Sequence, residues 1–235
     1  MAPRCQTKPL IPFNNKLRRK KKNVDPRRVA TNRQRTQKEV FMSNIEQLII
    51  RDDFYPDPDL IRQRALEKQY HAPPGSTKRL AKTAACTDQE ARELFELVKP
   101  LVPYDDVVSF RVLFRYTLAG TVKKTHCHID GTSYAGIVYL TLPQHCAGGT
   151  TIYRHKATGD LIFNPAHREQ YDLQDQSQWE IAEELEMKHN RLVMYPGQMF
   201  HALTPVFFGD DISNGRLTQN IFVMRPGDAA LNQRS

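Results

Sequence analysis

His126-Cys127-His128-Ile129-Asp130 sets two imidazoles and a carboxylate at alternate positions of one short segment. Strand side chains alternate with a period of two, so His128 and Asp130 point to the same face and can grip one ion. His126 shares that parity. A His paired with a carboxylate two residues later selects His128, which leaves His126 to support the ligands or to face a substrate. Cys127 alternates with the histidines and points away, as a packing residue. A second imidazole from a distant strand, His201, completes two His and one carboxylate on one face of a metal. That donor set suits non-haem iron(II) and leaves coordination positions open.

The flanking sequence reads as strands. From Ser109, Phe110, Val112, Phe114 and Tyr116 share one face, with Arg111, Leu113 and Arg115 on the other. Further strands are expected at Ala135 to Leu142, Thr150 to Tyr153, Leu192 to Tyr195, Phe200 to Val206 and Arg216 to Met224, and a short one at Ile45 to Ile50. Residues 155 to 190 are polar and irregular and read mostly as a surface excursion. Two helices precede the strands. Asp57 caps one over 58 to 70, with Pro58 as its first residue. Thr87 opens the other, where Thr87 and Glu90 form a capping box. About seven strands suffice for a jelly roll in two sheets, and helices before them give an α+β plan.

Composition separates the ends of the chain. Residues 1 to 40 hold 13 Lys and Arg against two acids, for a charge of +11, whereas the rest holds 21 basic and 24 acidic residues. This leader, with KLRRKKK from Lys16 to Lys22, has little to bury and reads as a disordered tail. It is suited to nucleic acid or another polyanion, to a nuclear address or to a solubilising role. Residues 41 to 235 form the folded domain. Four cysteines without CxxC spacing suggest free thiols. There is no secretory signal and no apolar run of membrane-spanning length. A soluble, intracellular, cytoplasmic or nuclear protein is therefore expected, without membrane association.

With HID at 128 to 130, YLTLP and AGGTTIY between Tyr139 and Tyr153, YPGQMFHALTPV from Tyr195 to Val206 and GRLTQNIFV from Gly215 to Val223, the chain resembles the 2-oxoglutarate- and iron(II)-dependent oxygenases, in their prolyl-hydroxylase-like branch. The resemblance implies a double-stranded β-helix, a cupin-like jelly roll, with helices packed on one side. It implies iron(II) on His128, Asp130 and His201, and 2-oxoglutarate held at its far carboxylate by Arg216. Thr218 and Tyr116 are hydroxyl residues expected beside that carboxylate. It also implies hydroxylation of a substrate with release of succinate and CO₂, with ascorbate as an accessory reductant. The chemistry of Arg216 agrees, because a guanidinium on an inward strand face is costly to bury without an anion.

Other readings stay open at this level. His201 could be a core histidine, and Arg216 could pair with Asp210 or Asp211. The domain could be a cupin-like module that holds a metal without turnover, or a structural β-domain behind a nucleic-acid-binding tail. If the tail is a tether, deleting residues 1 to 40 abolishes salt-sensitive binding to DNA or RNA in an anisotropy titration. Unchanged binding rejects the tether.

Overall fold

The structure, a computed structural model, describes residues 47–72, 82–120 and 126–228. The basic tail over 1 to 40, with its expected disorder and polyanion contacts, lies outside the described residues, as do the start of the strand expected at Ile45 and the Pro73-Pro74-Gly75 break. In chain order the elements are β1 (Ile49–Arg51), α1 (Pro58–Leu66), β2 (Lys82–Ala85), α2 (Asp88–Val98), β3 (Ser109–Thr117), β4 (Tyr134–Tyr139), β5 (Gly149–His155), β6 (Trp179–Glu186), β7 (Leu192–Pro196), β8 (His201–Leu203) and β9 (Arg216–Met224). The strands form a six-stranded sheet, β1-β7-β4-β9-β3-β2, and a three-stranded sheet, β6-β5-β8. Every pairing is antiparallel. The result is a mostly β jelly roll in two layers.

Both helices begin as their caps dictate. The Asp57 carboxylate accepts the Leu60 N–H at 3.0 Å. Thr87 Oγ1 accepts the Glu90 N–H while Glu90 Oε2 accepts the Thr87 N–H, at 3.2 and 2.7 Å. Helix α1 stops at Leu66, short of the expected residue 70. Beyond it the Lys68 N–H closes a tighter turn on Ala65, and His71 exchanges both backbone bonds with Thr83 at 2.9 Å. Pairing at the sheet edge therefore wins over another helical turn.

The two-residue period sorts the large sheet into two cores. Val112 and Phe114 on β3, Val138 on β4, Leu192 on β7 and Ile221 on β9 pack with Ala65 of α1 and Leu94 and Val98 of α2. On the opposite face Ile137, Tyr139, Val193 and Tyr195 pack with Ile152 and Leu185 of the small sheet. Strands β4 and β7 are buried on both faces, so YAGIVY and LVMY are nearly unbroken apolar runs. The second core, between the sheets, opens at one end into the candidate site.

Part of the expected excursion is instead a strand. Trp179–Glu186 pairs along β5, with a register shift that leaves Ala182 as an extra residue. Such a bulge breaks alternation, and an edge strand carries charge on its open side, so WEIAEELE hides its period. The segment before it is tied down by Asp160, which accepts the Tyr171 hydroxyl at 2.6 Å and meets His167 Nδ1 at 2.7 Å.

Gly197, in the turn between β7 and β8, is pressed against residues 130 to 133. A β-carbon there would lie 2.2 Å from the Thr132 carbonyl oxygen. The Gly197 carbonyl accepts the Asp130 N–H at 2.6 Å, and its N–H donates to the Ser133 carbonyl at 3.2 Å. Because backbone on both sides must move, Gly197→Ala should cost about 2 kcal/mol and lower Tm by roughly 5 °C. Thermal unfolding of the variant beside the parent checks this.

Candidate metal centre

His128 and His201 face each other in an isolated antiparallel bridge. The His128 N–H donates to the His201 carbonyl at 2.9 Å, and the His201 N–H donates to the His128 carbonyl at 3.0 Å. Residues that exchange both bonds project their side chains to the same side of the ladder. The ring centroids are accordingly 4.3 Å apart. Each ring is then oriented through Nδ1, which lies 2.8 Å from the Met199 carbonyl oxygen in His201 and 3.1 Å from the His126 carbonyl oxygen in His128. A carbonyl oxygen only accepts, so both Nδ1 atoms carry the proton and both Nε2 atoms keep the lone pair that a metal needs.

Asp130 completes the trio from the same parity as His128. One donor atom from each of His128, Asp130 and His201 lies within 4.8 Å of the other two, and Asp130 Oδ2 is 3.4 Å from His201 Nε2. Two donors bound at right angles to one ion, each about 2.1 Å from it, are about 3 Å apart. The trio can therefore close on a single ion with little movement.

The electrostatics favour the metal-binding protonation states. Burial alone would raise the Asp130 pKa, but the adjacent His201, with His128 and Arg115 nearby, holds it below the usual carboxylate range. Burial, followed by repulsion from His201, lowers the pKa of His128 and keeps its imidazole neutral. His128 is nonetheless exposed along one edge, as is Arg115. Both lie in a concavity, hemmed in by protein on most sides yet open to solvent at its mouth.

Arg216 lies at the closed end of this cavity of about 100 Å³. It is 6 % exposed. Its Nη2 donates to the Gly149 carbonyl at 3.0 Å, and its guanidinium carbon is 5.3 Å from the centre of the Tyr139 ring. No carboxylate among the described residues pairs with it, and its buried Nε has no hydrogen-bond partner there. Desolvation pushes its pKa down. Asp210 and Asp211 are engaged elsewhere, by Asn214 and Ser213.

The other expected site residues divide. Thr218 shares the face of Arg216, but it is buried and donates to Asn220 Oδ1 at 2.8 Å. Asn220, not Thr218, is the one of the pair that lines the cavity. Tyr116 corrects the reading that put it beside the far carboxylate. It faces the helix-side core and packs edge-on against Tyr70 at 4.8 Å. The reason is parity: Tyr116 alternates with Arg115 and Thr117, and those two face the cavity. His126 contributes its carbonyl to the orientation of His128. Cys127 packs away from the metal donors with Trp179 and Phe200.

Three residues of the site were not singled out from sequence: Arg115 and Tyr195, which line the cavity, and Tyr139, which packs against the Arg216 guanidinium. Arg115 was visible in the alternating set Arg111, Leu113 and Arg115, whose two arginines stand out on an otherwise apolar strand. Tyr139, whose hydroxyl lies 2.8 Å from Thr150 Oγ1, and Tyr195, whose ring is 4.6 Å from that of His201, sit in apolar runs where a tyrosine reads as core.

A family described as a family of unknown function, DUF6445, matches residues 32–223. No curated protein matches the chain. Among solved structures, the chain is similar to SnoN, the non-heme α-ketoglutarate-dependent epimerase of nogalamycin biosynthesis. The TM-score is 0.50 at 12% identity, covering 82% of this chain and 87% of that one. It is similar to EvdO2 from Micromonospora carbonacea var. aurantiaca, with a TM-score of 0.50 at 11% identity, covering 84% and 93%. A prolyl-4-hydroxylase from Pseudomonas putida gives a TM-score of 0.47 at 16% identity, covering 80% and 100%. At these identities the likeness is one of fold.

The donor geometry predicts a divalent-metal site that depends on all three side chains. His201→Ala and Asp130→Ala should each weaken Mn(II) binding by about 100-fold, read from the free-ion signal in an electron paramagnetic resonance titration. His126→Ala, which keeps the carbonyl that orients His128, should shift it by less than about threefold.

Proposed function

The chain belongs to DUF6445, a family of unknown function, and on the geometry of its site we propose that it is a 2-oxoglutarate- and iron(II)-dependent dioxygenase that hydroxylates a substrate, with release of succinate and CO₂. One observation carries this reading: Arg216 is buried without a carboxylate partner in the cavity that also holds the His128, Asp130 and His201 donors. A buried guanidinium needs an anion, and a carboxylate offers the two-pronged, charge-assisted pair that fits it.

Iron(II) on the three donors, with the keto acid and O₂, would supply oxidative decarboxylation coupled to oxidation of a substrate C–H bond. The protein's part is binding and orientation. Arg216 holds the far carboxylate of 2-oxoglutarate, and its contact with Gly149 and the Tyr139 ring fixes the guanidinium plane. Thr218 steers Asn220 toward the cavity. The two carbonyls behind His128 and His201 keep the Nε2 lone pairs turned inward. SnoN shares the fold and is α-ketoglutarate dependent, which supports the reading at the level of architecture.

With Fe(II), ascorbate and O₂, the parent protein should convert 2-oxoglutarate to succinate, slowly without substrate and faster when a substrate is found. Arg216→Ala should raise the KM for 2-oxoglutarate about 100-fold, the loss of a charge-assisted pair. His201→Ala should abolish turnover. Metal binding without any succinate from the parent would favour the non-catalytic, cupin-like module instead.

A further inference from the structure

Arg115 is the second guanidinium of the cavity, and the function proposed above does not use it. On the antiparallel β3–β9 ladder Arg115 stands opposite Thr218, and Arg216 stands opposite Thr117. The two arginines are therefore diagonal neighbours on one sheet face, with α-carbons roughly 7–8 Å apart. Like charges so placed repel, and Arg115 disfavours the charged form of Arg216. A strand face that keeps both has a use for two separate anionic groups.

The two arginines differ in depth. Arg216 is buried at the closed end, whereas Arg115 is exposed at the open end, on the same side as Asp130. The Arg115 side chain makes no hydrogen bond or ion pair with any described residue. Its attraction to Asp130 acts beyond ion-pair distance. A metal ion on Asp130 would neutralise that carboxylate and release Arg115 from it.

A count of formal charge then favours one further monoanion. The charged residues lining the cavity are Arg115, Asp130 and Arg216. With a doubly positive ion on the neutral histidines and Asp130, and a dianionic keto acid reaching Arg216, one positive charge stays unmatched. It resides on Arg115, the position nearest to solvent. A phosphate monoester, near two negative charges at neutral pH, would overshoot. A carboxylate balances it and matches the guanidinium fork.

Building on the dioxygenase reading, we propose that Arg115, exposed on the cavity face of β3 beside Asp130, binds a carboxylate of the substrate and thereby sets the oxidised carbon next to the metal. The substrate is thus a carboxylic acid whose acid group is held at the open end, and Arg115 is a specificity-determining residue. The other source of the same chemistry is the near carboxylate of 2-oxoglutarate, and the test separates the two.

Trifluoroacetate serves as the probe, with full-length protein loaded with Mn(II) and saturated with 2-oxoglutarate so that Arg216 is occupied. Fluorine relaxation reports whether the probe sits beside the paramagnetic ion. Trifluoroacetate should relax faster with the parent than with free Mn(II)–2-oxoglutarate. Arg115→Ala and Arg115→Gln should each cut that enhancement at least fivefold and change 2-oxoglutarate affinity by less than twofold. Arg115→Lys should keep part of it. Thermal melts of the three variants establish that each is folded, and the Gln variant keeps the volume of the site. No enhancement with the parent, or an enhancement that the Ala and Gln variants leave intact, overturns the proposal. A tenfold loss of 2-oxoglutarate affinity in those variants overturns it too and assigns Arg115 to the keto acid. If the parent binds Mn(II) but not 2-oxoglutarate, the dioxygenase reading fails first, and the substrate assignment fails with it.

Discussion

A pair of backbone hydrogen bonds, exchanged between His128 and His201, brings two remote stretches of chain into one site. Neither bond involves a side chain, so the contact costs nothing in ligand chemistry and yet fixes where both imidazoles start. The carbonyls of His126 and Met199 then fix the ring orientations, and the Gly197 carbonyl fixes Asp130 through its N–H. Backbone dipoles of the β framework therefore build most of the candidate metal centre, and the Nε2 atoms of both histidines stay turned inward for an ion.

The second constraint is a charge that the fold buries without an internal partner. Taking a guanidinium out of water costs several kcal/mol unless an anion meets it, and the contacts of Arg216 with Gly149 and Tyr139 satisfy it only in part. Tyr139 and Tyr195 are essentially buried on the adjoining strands beside it. The closed end of the cavity is thus organised to receive negative charge, and the open end is where chemistry meets solvent. That gradient in depth follows from the register of β9 against β3 and β4.

Much of this was legible in the chain. The HxD spacing, the YPG turn before His201 and the inward parity of Arg216 are local patterns, and the structure brings the corresponding side chains to one cavity. The helix caps at Asp57 and Thr87 were legible for the same reason. Tyr116 was not, because resemblance favoured an aromatic hydroxyl on that strand while parity, already visible, turned it toward Tyr70. Strand β6 was hidden by its bulge and by glutamates at both parities. Tyr139 and Tyr195 stayed hidden because a tyrosine in an apolar run carries the same local signal whether its hydroxyl ends in a core or in a cavity.

What distinguishes this site is the ordering of charge along it. Arg216 is buried beside buried tyrosines, Asp130 is half-buried, and Arg115 is exposed. On the dioxygenase reading a small dianion fills the deep end, and nothing about that end depends on what enters later. Selectivity must then come from side chains that an arriving molecule meets after the deep end is occupied. On the described surface, the side chain there that carries charge and lacks a hydrogen-bonded partner is Arg115. In a site whose other cations are already matched, one unmatched charge at the entrance is enough to favour an acid over a neutral or basic molecule of the same shape.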